Sequence, residues 1–291
     1  MMQKLIISLT FFCFPTFYLF SQTIVKYELQ NIKSITPSKD FTTPVLSPDG
    51  KNILFTTVGL DGIYLYNAKD KTIKNINKLN GAGYNASWAK DSKNIFYRNK
   101  QVLNSKKTEI NSYNIENRKS YRHENINPDA LLSSILADKT NDPVVYTNTK
   151  TLQIEAQLLD KSKSWNVTND DGQYYQAILS QDKKKVIVHK GGEMFIYAID
   201  GSGLLNSLGR GIACNWSFDD KKVLFFQSED NGHEITGSDL YIHEIINGKN
   251  WKITNTKNVY ESWPSWSADN KKITYSDEKS GKIYLANIIE K

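Results

Sequence analysis

The feature that most constrains this chain is a short phrase that recurs along it: a Ser or Ala, a turn Asp two residues later, a Lys two residues after that, and then a β-branched strand. It reads Ser47-Pro48-Asp49-Gly50-Lys51-Asn52-Ile53 at its first occurrence. It returns at Ala89 to Ile95, Ser180 to Val186, Ser217 to Val223 and Ser267 to Ile273, with a degenerate copy around Asp138 ahead of Pro143-Val144-Val145-Tyr146. Asp49 to Asp269 spans five steps over 220 residues, a mean of 44. Four-stranded propeller blades repeat every 40–45 residues or so.

Each copy parses into a blade. An apolar stretch ending in Trp88, Trp216 or Trp266 leads into the Asp/Gly/Asn-rich turn, and an apolar strand such as Ile53-Leu54-Phe55 or Val223-Leu224-Phe225 returns. A third strand centres on an aromatic, as in Ile63-Tyr64-Leu65-Tyr66 and Met194-Phe195-Ile196-Tyr197, and a weaker outer strand such as Trp251-Lys252-Ile253-Thr254 follows. One such sheet cannot bury both faces alone, so the blades must stack around an axis. The last copy runs through its third strand, Lys282 to Ile289, and the sequence stops at Lys291, without a fourth strand. The segment from Val25 to Thr36 resembles the outer strands, so it is expected to complete the sixth blade and remove an open sheet edge. The expected fold is all-β: a six-bladed propeller of four-stranded antiparallel blades, closed by the N-terminal strand.

The Ser-Pro-Asp-Gly-Lys hairpin, the Trp before it, and downstream strands of the Asp-Leu-Tyr-Ile or Lys-Ile-Tyr-Leu kind resemble the repeats of TolB-type six-bladed propellers, within the wider WD-like group. The resemblance spans roughly residues 23–291 and departs in the third blade, where the Trp is missing. It implies a cell-envelope protein that binds peptide segments of its partners at the central opening. A shared fold alone does not carry a function.

Residues 1–21 read differently. Lys4 precedes a largely apolar run from Leu5 to Phe20, interrupted by Pro15, with Ser21 as a small residue at the cleavage position. This pattern predicts a Sec signal peptide over 1–21 and a propeller over 22–291, with a periplasmic, secreted or cell-surface location and no membrane span after cleavage. An uncleaved anchor is the alternative. Cys13 would leave with the peptide, so Cys214 would be the only thiol, and its place before Trp216 suggests a buried, inert side chain.

The formal charge is +6, and much of it sits in the hairpins, at Lys51, Lys93, Lys183, Lys184, Lys185, Lys221, Lys222, Lys271 and Lys272. Lysine at turns guards sheet edges, which is the simplest account of that rim; docking onto an anionic envelope surface is the sharper one. No basic-aromatic module points to nucleic acid.

Signatures of catalysis are scarce. There is no Gly-x-Ser-x-Gly elbow, Gly201-Ser202-Gly203 lacks the third glycine of a dinucleotide fingerprint, and His123, His189, His233 and His243 are isolated. No cofactor and no metal are therefore expected, and no catalytic residue is assigned. A candidate binding site is assembled at the face where the innermost strands begin: Tyr84, Asn85, Tyr175, Gln176, Arg210, Glu261 and Trp263, overhung by an acidic loop with Asp230, His233 and Glu234. The favoured function is a non-catalytic exported propeller, a monomer within a larger envelope complex, that binds a protein partner through a peptide segment, or a glycan. The alternative is a small propeller enzyme of lactonase or polysaccharide lyase type, with a metal or acidic site over the axis.

Overall fold

The structure is a computed structural model and describes residues 27–37, 40–100, 108–123, 142–158 and 160–291. Among these residues the strands form six antiparallel sheets. Five have four strands, and the third, over 143–166, has three. In blades 1, 2, 4 and 5 the strands follow one another in sequence order, so each blade is a meander built from local hairpins. The degenerate repeat at Asp138 and the expected signal peptide lie outside the described residues.

The repeated phrase is a hydrogen-bonded device. Ser47 Oγ donates to Asp49 Oδ1 (2.7 Å) and accepts from the Asn52 amide (2.9 Å), while the Lys51 amide donates to the same Asp49 oxygen (3.1 Å). The same three bonds recur at Ser180/Asp182, Ser217/Asp219 and Ser267/Asp269. In blade 2 Ala89 has no hydroxyl, and Asp91 instead takes the Lys93 and Asn94 amides and the Asn94 carboxamide. Partial burial would raise the Asp49 and Asp182 carboxyls, but the donated hydrogen bonds outweigh it and hold both below the ordinary carboxylate range.

In three blades the residue after the Asp ties the blade to its neighbour. It adopts a left-handed conformation at Ser92, Asp220 and Asn270 (φ 58°, 54° and 55°). From there Ser92 Oγ accepts from the Asp49 amide (3.0 Å), Asp220 takes the Gln181 and Asp182 amides (2.8 Å each), and Asn270 takes the Phe218 amide (3.1 Å). Asn and Asp tolerate this conformation and offer an acceptor, which suits Asp220 and Asn270 to the position.

Between blades the core is face-to-face packing. Leu224, Phe226, Leu240 and Ile242 of blade 5 meet Trp266, Ile273 and Tyr275 of blade 6 in one buried cluster. The repeated Trp lies in these seams: Trp88 Nε1 donates to the Val45 carbonyl of blade 1 (3.0 Å) and Trp216 Nε1 to the Ile178 carbonyl of blade 4 (3.1 Å).

The ring closes as the termini suggested. Tyr27–Ser34 pairs antiparallel with Lys282–Glu290, from Tyr27 opposite Glu290 to Ser34 opposite Tyr284, and becomes the outer strand of blade 6. The lysine rim is substantially self-neutralised, with Lys51–Asp49, Lys93–Glu116, Lys183–Asp142, Lys185–Asp182 and Lys222–Glu290 pairs at 2.6 to 3.4 Å.

Candidate functional site

Counting back from the hairpin Asp gives each innermost strand a common register. Six residues before it stand Thr43, Asn85, Gln176, Ala213 and Trp263, and four before it Val45, Ser87, Ile178, Asn215 and Ser265. Thr43, Asn85, Gln176 and Trp263 all have positive φ, between 46° and 52°. Pairing with the second strand skips at three of these points, between Thr42 and Val45, Tyr175 and Ile178, and Ser262 and Ser265. Each is a bulge that turns a side chain out of the ladder toward the axis. Pro44 and Pro264 fit such a bulge, since they have no amide to leave unpaired. A left-handed Thr or Trp is strained, and strain of this kind concentrates at functional sites.

The four left-handed residues line one cavity of about 200 Å³ on the axis. Tyr84, Cys214, Asn215 and the ring of residues at the Val45 level line it too, and no Asp, Glu, His, Lys or Arg is among the described lining residues. Burial pushes the Cys214 thiol far up, so it lines the wall as a neutral thiol.

Two aromatics are held in place at this mouth. The Trp263 ring lies 5.2 Å from Phe226 and its Nε1 donates to Glu278 (3.2 Å). The Arg98 guanidinium sits 4.8 Å over the Tyr84 ring, whose residue is 41% exposed. Gln176 is fixed from behind: its Nε2 donates to the Ala213 carbonyl (3.1 Å), and its own carbonyl lies 3.1 Å from His189 Nδ1. His189 Nε2 accepts from the Ala213 amide (2.9 Å), so Nδ1 carries the proton and donates to Gln176. The ring is fully buried, and desolvation pushes its pKa down to about 4, which keeps it neutral.

The other expected site residues lie elsewhere. Tyr175 stacks on His189 at 5.4 Å, outside the lining of the cavity. Arg210 ends the outer strand of blade 4, where its carbonyl accepts from Gln227 Nε2 (2.6 Å). The expected acidic loop is mostly strand: Lys222–Asp230 and Ile235–Glu244 pair as far as Asp230 opposite Ile235, forming an arm whose turn is only Asn231 to Glu234. Asp230 and Asn231 cap that turn by accepting the Gly232, His233 and Glu234 amides, so Asp230, His233 and Glu234 sit at an exposed tip.

Glu261 is buried at 1% exposure, directly opposite Asp277 across the ladder. Asp277 accepts from the Tyr260 and Lys279 amides and from the Ser280 hydroxyl. Glu261 has one hydroxyl donor, Thr256, and its Oε2 has no partner. Burial first, and then the nearby Asp239 and Asp277 charges, push its pKa up to about 7. Among the described residues no group of three His, Cys, Asp or Glu side chains is arranged to hold a metal ion.

The sequence reading passed over Thr43, Ser87, Cys214, Asn215 and Ser265 as lining residues. The signal that would have found all but Cys214 is the register of the repeat, read backward from each hairpin Asp; Cys214 stands between the two register positions of its strand.

No protein-family model and no curated protein sequence matches this chain. Among solved structures it is similar to a TolB-type protein from Agrobacterium tumefaciens, at 14% identity and a TM-score of 0.56, covering 92% of this chain and 99% of that one. It is also similar to an oligogalacturonate lyase in complex with manganese, at 12% identity and a TM-score of 0.50, covering 91% and 96%. TolB from Acinetobacter baumannii aligns at 17% identity with a TM-score of 0.37, covering 88% of this chain, which spans only 56% of that protein. Together with the six sheets, the likeness to the Agrobacterium protein shows the fold, a six-bladed β-propeller. At 14% identity it speaks for the fold alone.

Proposed function

We propose that the chain is an exported, non-catalytic propeller that captures a protein partner of the bacterial cell envelope, through a peptide segment or a glycan, at the axial mouth. The observation that carries this reading is the set of left-handed residues Thr43, Asn85, Gln176 and Trp263, which four separate blades turn toward one uncharged cavity. Strain repeated in register and aimed at one space is the mark of a preorganised binding surface. Tyr84 and Trp263 supply the rigid aromatic anchors on which such interfaces depend. The described residues of the cavity wall offer neutral hydrogen-bonding groups. The TolB-like fold supports an envelope role, and a periplasmic or cell-surface location after loss of residues 1–21 belongs to the same proposal. No helix among the described residues is long and apolar enough to cross a membrane.

The test is capture from envelope extract with the purified protein as bait. Trp263→Ala and Tyr84→Ala should each lower partner recovery at least tenfold, with unchanged circular dichroism. Undiminished recovery by the double variant would remove the mouth from the interface. The fold of the manganese-bound lyase motivates one parallel assay. Manganese-dependent cleavage of oligogalacturonate by this protein would replace the binding reading with the enzyme reading.

A further inference from the structure

Glu261 and Trp263, two residues apart on the inner strand of blade 6, are tied to one short turn. Opposite Glu261 in the ladder stands Asp277, which ends the second strand and begins the turn Asp277-Glu278-Lys279-Ser280. Asp277 holds that turn by accepting from the Lys279 amide (3.0 Å) and the Ser280 hydroxyl, and joins it to the start of the inner strand by accepting from the Tyr260 amide (3.0 Å). The next residue, Glu278, donates its amide to the Tyr260 carbonyl (3.0 Å) and accepts the Trp263 indole proton (3.2 Å). A displacement of Asp277 therefore carries Glu278 with it, and with Glu278 the polar anchor of the Trp263 ring.

Trp263 depends on that anchor. Its backbone is left-handed, at φ 50°, and a bulky residue keeps such a conformation only while its surroundings enforce it. Phe226, at 5.2 Å, and Glu278 are the ring's fixed partners.

Glu261 is placed to disturb the turn. Its carboxyl is buried; one oxygen accepts from Thr256 (2.9 Å) and the other has no partner. Residues directly opposed in an antiparallel pair hold their Cβ atoms about 4.5–5.5 Å apart, and like charges there repel. The groups around Glu261 are mostly acidic. Blade 6 brings Asp277, Tyr275 and Tyr284, with Lys282 opposite Asp277 and Lys279 over the Tyr260 ring (5.1 Å). Blade 5 brings Asp239, already paired with Lys252 (2.7 Å), and Glu229 and Tyr241 lie around that pair. The inner strands of blades 1 and 5, Phe41–Leu46 and Ile212–Trp216, bring no charged residue.

We infer that Glu261 is a proton-operated latch on Trp263: its neutral carboxyl leaves the Asp277 turn and the Trp263 ring in place, whereas loss of its proton opposes two like charges, displaces the turn and frees the ring. Glu261 is thus a positioning residue that acts through Asp277 and Glu278. Burial and the neighbouring acids hold its pKa up at about 7, so the latch closes in acid and opens as pH rises through neutrality. If Trp263 anchors the partner, capture weakens over the same range; that consequence rests on the function proposed above, and the latch itself does not.

The experiment follows the indole N–H cross-peaks of the purified ¹⁵N-labelled protein from about pH 5 to about pH 8, with that of Trp263 assigned through Trp263→Phe. The wild-type Trp263 peak should move with a midpoint close to 7, while those of Trp88 and Trp216, bonded to carbonyls in other seams, stay in place. In Glu261→Gln, which keeps the shape and the neutral state, the Trp263 peak should hold its acid position throughout. Asp277→Asn removes the opposing charge and should lower the midpoint. Glu278→Gln keeps an acceptor for the indole and should leave the midpoint where it is. A wild-type peak that does not titrate, or one that titrates unchanged in Glu261→Gln, overturns the inference, as does a titration abolished by Glu278→Gln. Capture from envelope extract at about pH 5.5 and about pH 8 reads the consequence: wild-type recovery should fall at least fivefold at the higher pH, and Glu261→Gln recovery should not. A Trp263 peak that follows Glu261 while wild-type capture ignores pH leaves the latch standing and removes Trp263 from the partner interface.

Discussion

Tyr27 donates its phenolic proton to Glu244 across 2.5 Å, joining residues 217 positions apart in the chain. Tyr27 opens the closing strand of blade 6 and Glu244 ends the third strand of blade 5, so the contact ties the closure to the neighbouring blade. Glu244 also accepts from Asn247 and Trp251, and Lys222 lies 5.0 Å over the Tyr27 ring. Burial above all, and then the Glu244 hydrogen bond, push the Tyr27 phenol far above its usual range, so it donates at every physiological pH.

Loss of that hydroxyl should therefore weaken closure without unfolding the ring. Tyr27→Phe leaves a largely buried carboxylate one donor short, and a lost hydrogen bond to a charged group costs about 1.5–3 kcal/mol. Deleting residues 22–36 should do far more, because it strips the whole outer strand from Lys282–Glu290 and exposes an edge. Thermal melts should rank the proteins wild type, then Tyr27→Phe, then the deletion. A deletion variant that melts with wild type would show that the closing strand does not stabilise the ring.

The hairpin devices predict small, local costs. Each of Asp49→Ala, Asp182→Ala, Asp219→Ala and Asp269→Ala removes one acceptor of two hydrogen bonds, and should cost about 0.5–2 kcal/mol by analogy with capping residues. Asp220→Ala should cost at least as much, since it releases two amides of the adjacent blade. Urea unfolding measures both, and equal stability of Asp220→Ala and wild type would remove the role assigned to the clasp.

Two buried groups should give the stability curve opposite slopes. His189 has its folded pKa lowered to about 4 from 6.5, so its contribution is present above pH 6.5 and is lost as pH falls toward 4. Glu261 has its folded pKa raised from 4.5 to about 7, so its contribution is present below pH 4.5 and is lost as pH rises toward 7. Each window is worth on the order of 3 kcal/mol at full span. Glu261→Gln should flatten the alkaline side, and urea midpoints collected from pH 4 to pH 8 decide it. A Glu261→Gln curve parallel to wild type across pH 4.5–7 would mean that Glu261 is not the titrating group.

The fold was legible because its information is local and repeated. Ser47 and Asp49 announce a hairpin within six residues, and four more copies set the blade period. The closing strand could be read because the last copy lacked an outer strand and the segment from Tyr27 had the pattern to supply it. The mouth was legible only in part. Asn85, Gln176 and Trp263 stood out by residue type, whereas Thr43, Cys214 and Asn215 look like ordinary strand residues until the bulge turns them to the axis. The arm was misread as a loop because Glu229, Asp230, Asn231 and Gly232 carry turn composition, although pairing continues to Asp230. Glu261 was expected among the binding residues of the mouth; its burial beside blade 5, where Ser238 donates to its carbonyl, is set by a contact between blades that no local pattern encodes.

The assignment of the binding face makes a last, two-sided prediction. The mouth carries the aromatic anchors and strained residues, while the opposite rim carries lysines, several of them already paired with hairpin or neighbouring acids. Lys184, Lys221 and Lys271 are exposed, where charges contribute little, so their reversal to Glu should leave partner capture within about twofold and alter mainly its salt dependence. An aromatic anchor in a desolvated interface is worth about 2 kcal/mol or more, roughly thirtyfold in affinity, so Trp263→Ala should dominate any rim variant. Replacing Asp230 to Glu234 by a Gly-Ser segment separates the arm's contribution, since those residues lie at an exposed tip away from the cavity. If the lysine reversals release the partner while Trp263→Ala retains it, the partner binds the hairpin rim, and the left-handed residues at the mouth serve another ligand.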